Sequence, residues 1–157
     1  MSISVRLKEI LDSSHVPYKV ITHPPAYTAE EVAESAHVSG YDMVKVVVAV
    51  ADGKHVMVVL PANHRIDIPA LRSFLNCERV KLADESEFSA EFPDCEIGAM
   101  PPFGKLYGLR LIAALPLQSD YRIFFNAGSH REIIQMNRDD WERLAQPEWG
   151  EFSTVAH

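Results

Sequence analysis

Apolar and polar positions along this chain switch between a helical period and the alternation of strands. Val5, Leu7, Ile10 and Leu11 recur at helical spacing behind the potential caps Ser2 and Ser4, which predicts a first helix of about ten residues. Tyr18 to Thr22 alternates and is stopped by His23-Pro24-Pro25, so it reads as a short strand. Thr28-Ala29-Glu30-Glu31 is a capping box, opening a helix expected to run to about Ala36 and to end near Ser39-Gly40. From Asp42 to Pro61, two valine-rich runs flank Asp52-Gly53, a pair that supplies the left-handed geometry of a two-residue turn; the stretch predicts a β-hairpin.

Beyond the hairpin, Asp67 caps a helix with Pro69 in its first turn and an apolar face of Leu71, Phe74 and Leu75. Arg79 to Leu82 reads as a short strand, and Asp84 to Phe92 as an acidic helix closed by Pro93-Asp94. Leu109 to Ala113, Tyr121 to Asn126 and Glu132 to Met136 read as three strands, followed by a helix capped by Asn137 or Asp139 and carrying Trp141 and Leu144. Pro147 to His157 has no apolar period and is expected to be a mobile tail on a domain spanning residues 1–146. Helices and strands mix without regular alternation. The expected fold is therefore a single α+β domain, a mixed, mainly antiparallel sheet flanked by helices.

Composition narrows the function classes. A chain of 157 residues that is 47% hydrophobic can bury a sizeable core without staples. Cys77 and Cys95 are widely separated, and the N-terminus shows no secretory leader or long apolar span, which points to free thiols in the cytoplasm and no membrane partner. The seven histidines (His15, His23, His37, His55, His64, His130 and His157) have no metal-ligand spacing, so no metal and no cofactor is expected. A formal net charge of −7 opposes a long phosphate backbone; DNA is not an expected partner, and any nucleic-acid contact should be small and local.

Three features carry candidate chemistry. Lys45 interrupts the first valine run, and its ammonium must reach water along its stem or meet a partner; spacing alone favours escape over the sheet edge. Gly98-Ala99-Met100-Pro101-Pro102-Phe103-Gly104 should be a stiff loop, since its prolines fix the backbone and its glycines permit tight geometry, although such a turn alone is weak evidence. Gly128-Ser129-His130 sits at a strand start, where a histidine more often satisfies a nearby carbonyl than catalyses. Ser129 and His130 are adjacent, so on an extended segment they point to opposite faces and do not form a nucleophile–base pair. Neither cysteine lies in an activating motif, and packing is the commoner role for each.

In combination and order, Lys45, the Gly98 to Gly104 loop and Ala127-Gly128-Ser129-His130-Arg131 resemble the YbaK/prolyl-tRNA-synthetase-associated editing domain family, the INS-like aminoacyl-tRNA deacylases. The resemblance extends from about Val5 to about Gln146. It implies a free-standing trans-editing hydrolase that cleaves the ester of a mischarged tRNA, most simply tRNA(Pro) or a related tRNA carrying a small amino acid. It further implies that Lys45 anchors the terminal nucleotide, that Gly98 and Pro102 frame backbone amides beside the scissile carbonyl, and that His130 borders the same site. Val46, Ala99, Met100, Pro101, Gly128 and Ser129 would then line the substrate. The residue after the lysine is asparagine in the alanine-specific branch and threonine in the cysteine-specific one; here it is Val46, so neither specificity carries over.

An aminoacyl ester is already activated, so a positioned water and oxyanion donors could supply most of the rate without a protein nucleophile. The expected partner is the acceptor end of the tRNA, met by Lys45, with Arg65, Lys105 and Arg131 more simply read as solvated surface charges. An aminoacyl-tRNA synthetase is a second conceivable partner. The competing reading is a non-catalytic module that binds aminoacyl-tRNA or docks on a synthetase, and turnover distinguishes the two.

Overall fold

The computed structural model describes residues 4–24, 29–35, 42–96 and 98–156. The central hairpin is formed by β2 (Val44–Ala51) and β3 (Lys54–Pro61), antiparallel and in register from Val44↔Pro61 to Ala51↔Lys54. Asp52 has φ 47° and Gly53 φ 83°, the two left-handed residues that such a turn requires. The Asp52 carboxylate also accepts from the amides of Glu78 and Arg79 at 2.9–3.1 Å, which draws β5 (Val80–Leu82) onto the edge of the hairpin.

Both faces of β2 are covered. Val44 and Val48 enter the main core with Val46 packed against it, while Ala49, Val47 and Ala51 belong to a second core on the other face. That two-sided burial explains a nearly continuous valine run in place of strict alternation. The full sheet has the order β5-β2-β3-β6-β9, with β6 (Arg110–Ala114) and β9 (Glu148–Gly150) added in parallel. A second, antiparallel sheet has the order β1-β8-β7, from Tyr18–Thr22, Glu132–Asn137 and Arg122–Asn126. A bridge between Met43 and Phe124 joins the two. Strands β4 (His64–Ile66) and β10 (Ser153–Val155) form an antiparallel pair.

Helix α1 (Val5–Ser13) buries Leu7 and Leu11, and the Ser4 hydroxyl accepts from the Leu7 amide at 3.4 Å, as its capping role predicts. Helix α2 spans Ala29–Ser35; Ser2, the Thr28 of the capping box and the Ser39-Gly40 stop lie outside the described residues. Helix α3 (Ile68–Leu75) is capped by Asp67, which accepts from Ala70 at 3.1 Å. Helix α5 (Arg138–Ala145) starts at Asn137 and buries Trp141 completely. Among the described residues no helix is long and apolar enough to cross a membrane.

Two expectations are corrected. The acidic helix is shorter than Asp84 to Phe92: α4 covers Glu85–Phe88, and a 3-10 turn covers Ser89–Glu91. Phe92 precedes a proline, which disfavours helical backbone, and it adopts φ −124° and ψ 62°. The segment from Pro147 is not a tail outside the fold, because it supplies β9 and β10. Phe152 is 1% exposed and packs against Phe74 with ring centroids 5.8 Å apart. Burying such a side chain contributes roughly 1.5–3 kcal/mol, which adds to the strand pairing that holds the segment.

Candidate active site

The proline loop and the glycine–serine–histidine corner are hydrogen-bonded to one another. The Gly128 amide donates to the Ala99 carbonyl at 3.0 Å, and the Glu96 amide donates to the Gly128 carbonyl at 2.8 Å. The Glu96 carbonyl accepts from Ala99 at 3.0 Å, and its carboxylate accepts from the His130 amide at 3.3 Å. Glu96 therefore clamps both segments. Gly128 has φ 99°, and a Cβ there would lie 3.0 Å from the Ser4 Cβ, so glycine is demanded by backbone and by space alike. Gly98 has φ 82°, also left-handed.

The loop itself is rigid for identifiable reasons. Ala99, Met100, Pro101, Pro102 and Phe103 are all buried. The Trp141 indole donates to the Pro102 carbonyl at 2.9 Å, and Phe103 packs edge-on against Phe125 at 5.8 Å. Of the amides expected to face a substrate carbonyl, that of Ala99 is committed to Glu96. Among the described residues no acceptor is found for the amides of Gly98 and Met100, and Met100 is only 4% exposed. Leaving a buried amide unmatched costs about 1–3 kcal/mol, so a ligand oxygen there would be stabilised.

Lys45 is half-buried on β2, opposite Leu60. Strand alternation puts it on the face that carries Met43 and Val47, opposite Val46. Val46 instead packs against the core that contains Met100. The ammonium acts on His64: burial first, and the Lys45 charge second, hold the His64 imidazole below its ordinary value of 6.5. His64 belongs to no motif in the sequence, and its neighbour across the β4–β10 pair, Ser153, lies 89 positions away.

Ser129 is fully buried, and its hydroxyl accepts from the Arg131 amide at 3.3 Å. A hydroxyl so placed supports the turn and is not presented to an ester. Cys95 is likewise no nucleophile, because burial pushes its thiol up to about 12. Its sulfur lies 3.2 Å from the Tyr107 hydroxyl and 3.5 Å from Asp94. Burial would raise the Asp94 carboxyl, but hydrogen bonds from Ser4, Cys95 and Tyr107 hold it below the usual carboxylate range. This network ties the start of α1 to the segment preceding the loop. Cys77 is half-buried, with its thiol directed to the Arg72 carbonyl at 3.9 Å.

Of the other cations, Arg131 is exposed beside His130, Arg65 is exposed on β4, and exposed Lys105 donates to Gln146. A cavity of about 40 Å³ adjoins the loop, walled by Phe88, Ser89, Phe92, Cys95, Glu96 and Met100. The broad groove along α1, about 1120 Å³ and lined by Arg6, Ile10 and Leu106 among others, lies apart from these residues. No periodicity marks Glu96 or Asp94 as organisers of the site; the only signal is that two carboxylates stand immediately before a glycine–proline loop.

Comparison with known proteins bears on this geometry. Residues 23–144 match the family model described as the aminoacyl-tRNA editing domain. The multifunctional Ser/Thr-tRNA deacylase ProXp-y of Escherichia coli (strain K12) is 30% identical over 156 residues, which cover 96% of this chain and 93% of that protein. The proline–tRNA ligase of Limosilactobacillus fermentum is 26% identical over 140 residues, 84% of this chain but only 24% of the ligase. Among solved structures, the hypothetical protein APE2540 superposes with a TM-score of 0.84 at 18% identity, over 95% of this chain and 99% of that one. The family match spans the loop, the corner and Lys45 together, and the chain belongs to the aminoacyl-tRNA editing domain family.

Proposed function

We propose that this chain is a free-standing deacylase that hydrolyses the ester of mischarged aminoacyl-tRNA. The observation that carries the reading is the junction of the Gly98 loop with the Gly128 corner, which holds the amides of Gly98 and Met100 in place with no acceptor among the described residues. A water attacks the ester carbonyl, the carbonyl oxygen gathers charge against those amides, and the ribose oxygen leaves with a proton. Preorganised donors are worth most where charge develops in a water-poor site, and this one is walled by Pro101, Pro102 and Met100. His130 borders the site, its backbone fixed by Glu96. Lys45 meets the phosphate of the terminal nucleotide, with Val46 and Ala99 contributing apolar wall.

The match along almost the whole of a Ser/Thr-tRNA deacylase supports a small, hydroxyl-bearing amino acid as the group removed. The partial match to a proline–tRNA ligase supports tRNA(Pro) among the tRNAs to test first. The reaction needs only the acceptor end of the tRNA, which suits a net charge of −7. The test is a deacylation screen of the purified chain against tRNAs carrying serine, threonine, alanine or cysteine. Release of at least one amino acid over many turnovers is expected; a protein that retains charged tRNA on a filter without discharging it would be a binding module.

A further inference from the structure

A buried histidine stands beside the glycine–serine–histidine corner with one ring nitrogen unmatched. His23 follows β1 directly and is 5% exposed. Its amide donates to the Arg131 carbonyl at 2.8 Å, which carries the β1–β8 ladder one step beyond Thr22↔Glu132 and sets His23 against the residue next to His130. The imidazole Nδ1 lies 2.7 Å from the Pro24 carbonyl. A carbonyl oxygen only accepts, so Nδ1 donates; in the neutral ring the proton is on Nδ1 and Nε2 carries the lone pair. Nε2 is buried and meets no donor among the described residues. The ring shares its surroundings with Lys45. Ile21 and Met43 pack into one apolar cluster with Val32, Ala33, Phe124 and Ile133, and the Met43–Phe124 bridge joins the two sheets there. His23 is two residues on from Ile21 and Lys45 two on from Met43, so alternation turns both side chains to the side of their strands that this cluster occupies.

We infer that His23, its ring held through Nδ1 by the Pro24 carbonyl, is the general base of the deacylation, an assignment that rests on the deacylase reading given above. The amides of Gly98 and Met100 only donate, so the reaction still needs an acceptor for a water proton. Nε2 takes that proton as the water oxygen bonds to the ester carbonyl carbon. When the bond between this carbon and the ribose oxygen breaks, Nε2 returns a proton to the ribose oxygen. The products are a carboxylic acid and a free ribose hydroxyl, and the ring ends neutral as it began. A base fixed through its far nitrogen presents its lone pair in one direction, which is the arrangement that proton transfer requires. The charged and titratable groups on the elements packed around the ring are His130, Arg131 and Glu132 on the paired segment, Glu31 and Glu34 on α2, and Asp42 and Lys45 at the start of β2. Arg131, Glu31 and Glu34 are exposed, and Glu132, Asp42 and Lys45 are half-buried.

The experiment is steady-state deacylation of the mischarged tRNA identified by the screen, across a range of pH, with the full chain and its His23→Gln variant. Glutamine keeps an uncharged, hydrogen-bonding side chain but has no basic nitrogen. His23→Gln should lower kcat at least about a hundredfold and leave KM within about threefold. Protonation of Nε2 removes the base, so log kcat of the wild-type chain should fall with unit slope toward acid pH. In His23→Gln that limb should vanish, and the residual rate should rise with hydroxide. A histidine that merely supported the fold would lower the rate and leave the limb in place. Circular dichroism and thermal melting check the fold. If His23→Gln melts early, long-range proton–nitrogen NMR correlations of the wild-type chain carry the test: the neutral ring should bear its proton on Nδ1, and a proton on Nε2 overturns the inference. Unchanged kcat in folded His23→Gln, or a raised KM with kcat and the acid limb intact, overturns it too and leaves the deacylase reading standing. If the wild-type chain discharges no mischarged tRNA, the deacylase reading fails and the inference with it.

Discussion

The carbonyl of Ala99 and the amide of Gly128, 29 positions apart in sequence, meet at 3.0 Å and join the two segments that frame the candidate site. This bond depends on a backbone that glycine alone adopts comfortably at position 128. Gly128→Ala should therefore cost about 1–3 kcal/mol of stability, from the left-handed φ of 99° and the crowding by Ser4. Deacylation of every substrate should fall together, since the loop would lose its support. Thermal melting and turnover on two mischarged tRNAs measure both; a variant with wild-type melting and activity would show that the bond positions nothing.

Within the loop, backbone and side chain should separate. Gly98→Val forces a β-branched residue into φ 82° and should reduce turnover on all substrates alike. Met100→Ala enlarges the small cavity beside the loop and should instead change which amino acid is accepted, by about 1–3 kcal/mol of discrimination. Loss of all activity in Met100→Ala with a fully active Gly98→Val would point to a side-chain catalyst.

The thiol of Cys95 should be inert. With its pKa pushed up to about 12 by burial, it stays protonated at all working pH values. In a Cys77→Ala background, alkylation by iodoacetamide should be slow at pH 7.5, and Cys95→Ala should still turn over substrate. Rapid modification with matching loss of activity would contradict this account of Cys95.

Asp120 offers a pH-dependent test of stability. Burial, followed by the charge of Asp42, pushes its carboxyl up to about 6 from an ordinary 3.8, against an opposing effect of Arg138, and its Oδ2 has no partner among the described residues. A folded value above the unfolded one means that the stabilising protonated form is fully present below 3.8 and is lost as pH rises through about 6. Asp120→Asn should thus raise the melting temperature at pH 7 to 8, by an amount equivalent to about 1 kcal/mol after allowance for solvent screening, and change little at pH 4. Equal effects at both pH values would contradict it.

These relationships differ in how far the sequence discloses them. Asp52-Gly53 and the flanking valines marked the hairpin because the turn chemistry and the packing are local, and the serine and aspartate caps of α1 and α3 were legible for the same reason. The stiff loop was readable from its prolines, but its clamp was not, since Glu96 acts through backbone contacts with residues more than 30 positions away. The parallel pairing of β6 with β3 and β9 leaves no turn signal at all. β9 and β10, at three residues each, are too short to show a period in the sequence, so it is their pairing with β6 and β4 and the burial of Phe152 that identify the segment as part of the fold. Val46 and Lys45 were adjacent candidates in sequence, yet strand geometry sends them to opposite faces.

The most direct test of the central claim is multiple-turnover discharge of a mischarged tRNA by wild-type protein and by Lys45→Ala, at enzyme concentrations far below that of substrate. The account predicts that the wild-type chain empties the pool, and that Lys45→Ala, folded by circular dichroism, is slower by at least about tenfold to a hundredfold. A folded Lys45→Ala protein that discharges the pool at the wild-type rate would contradict it.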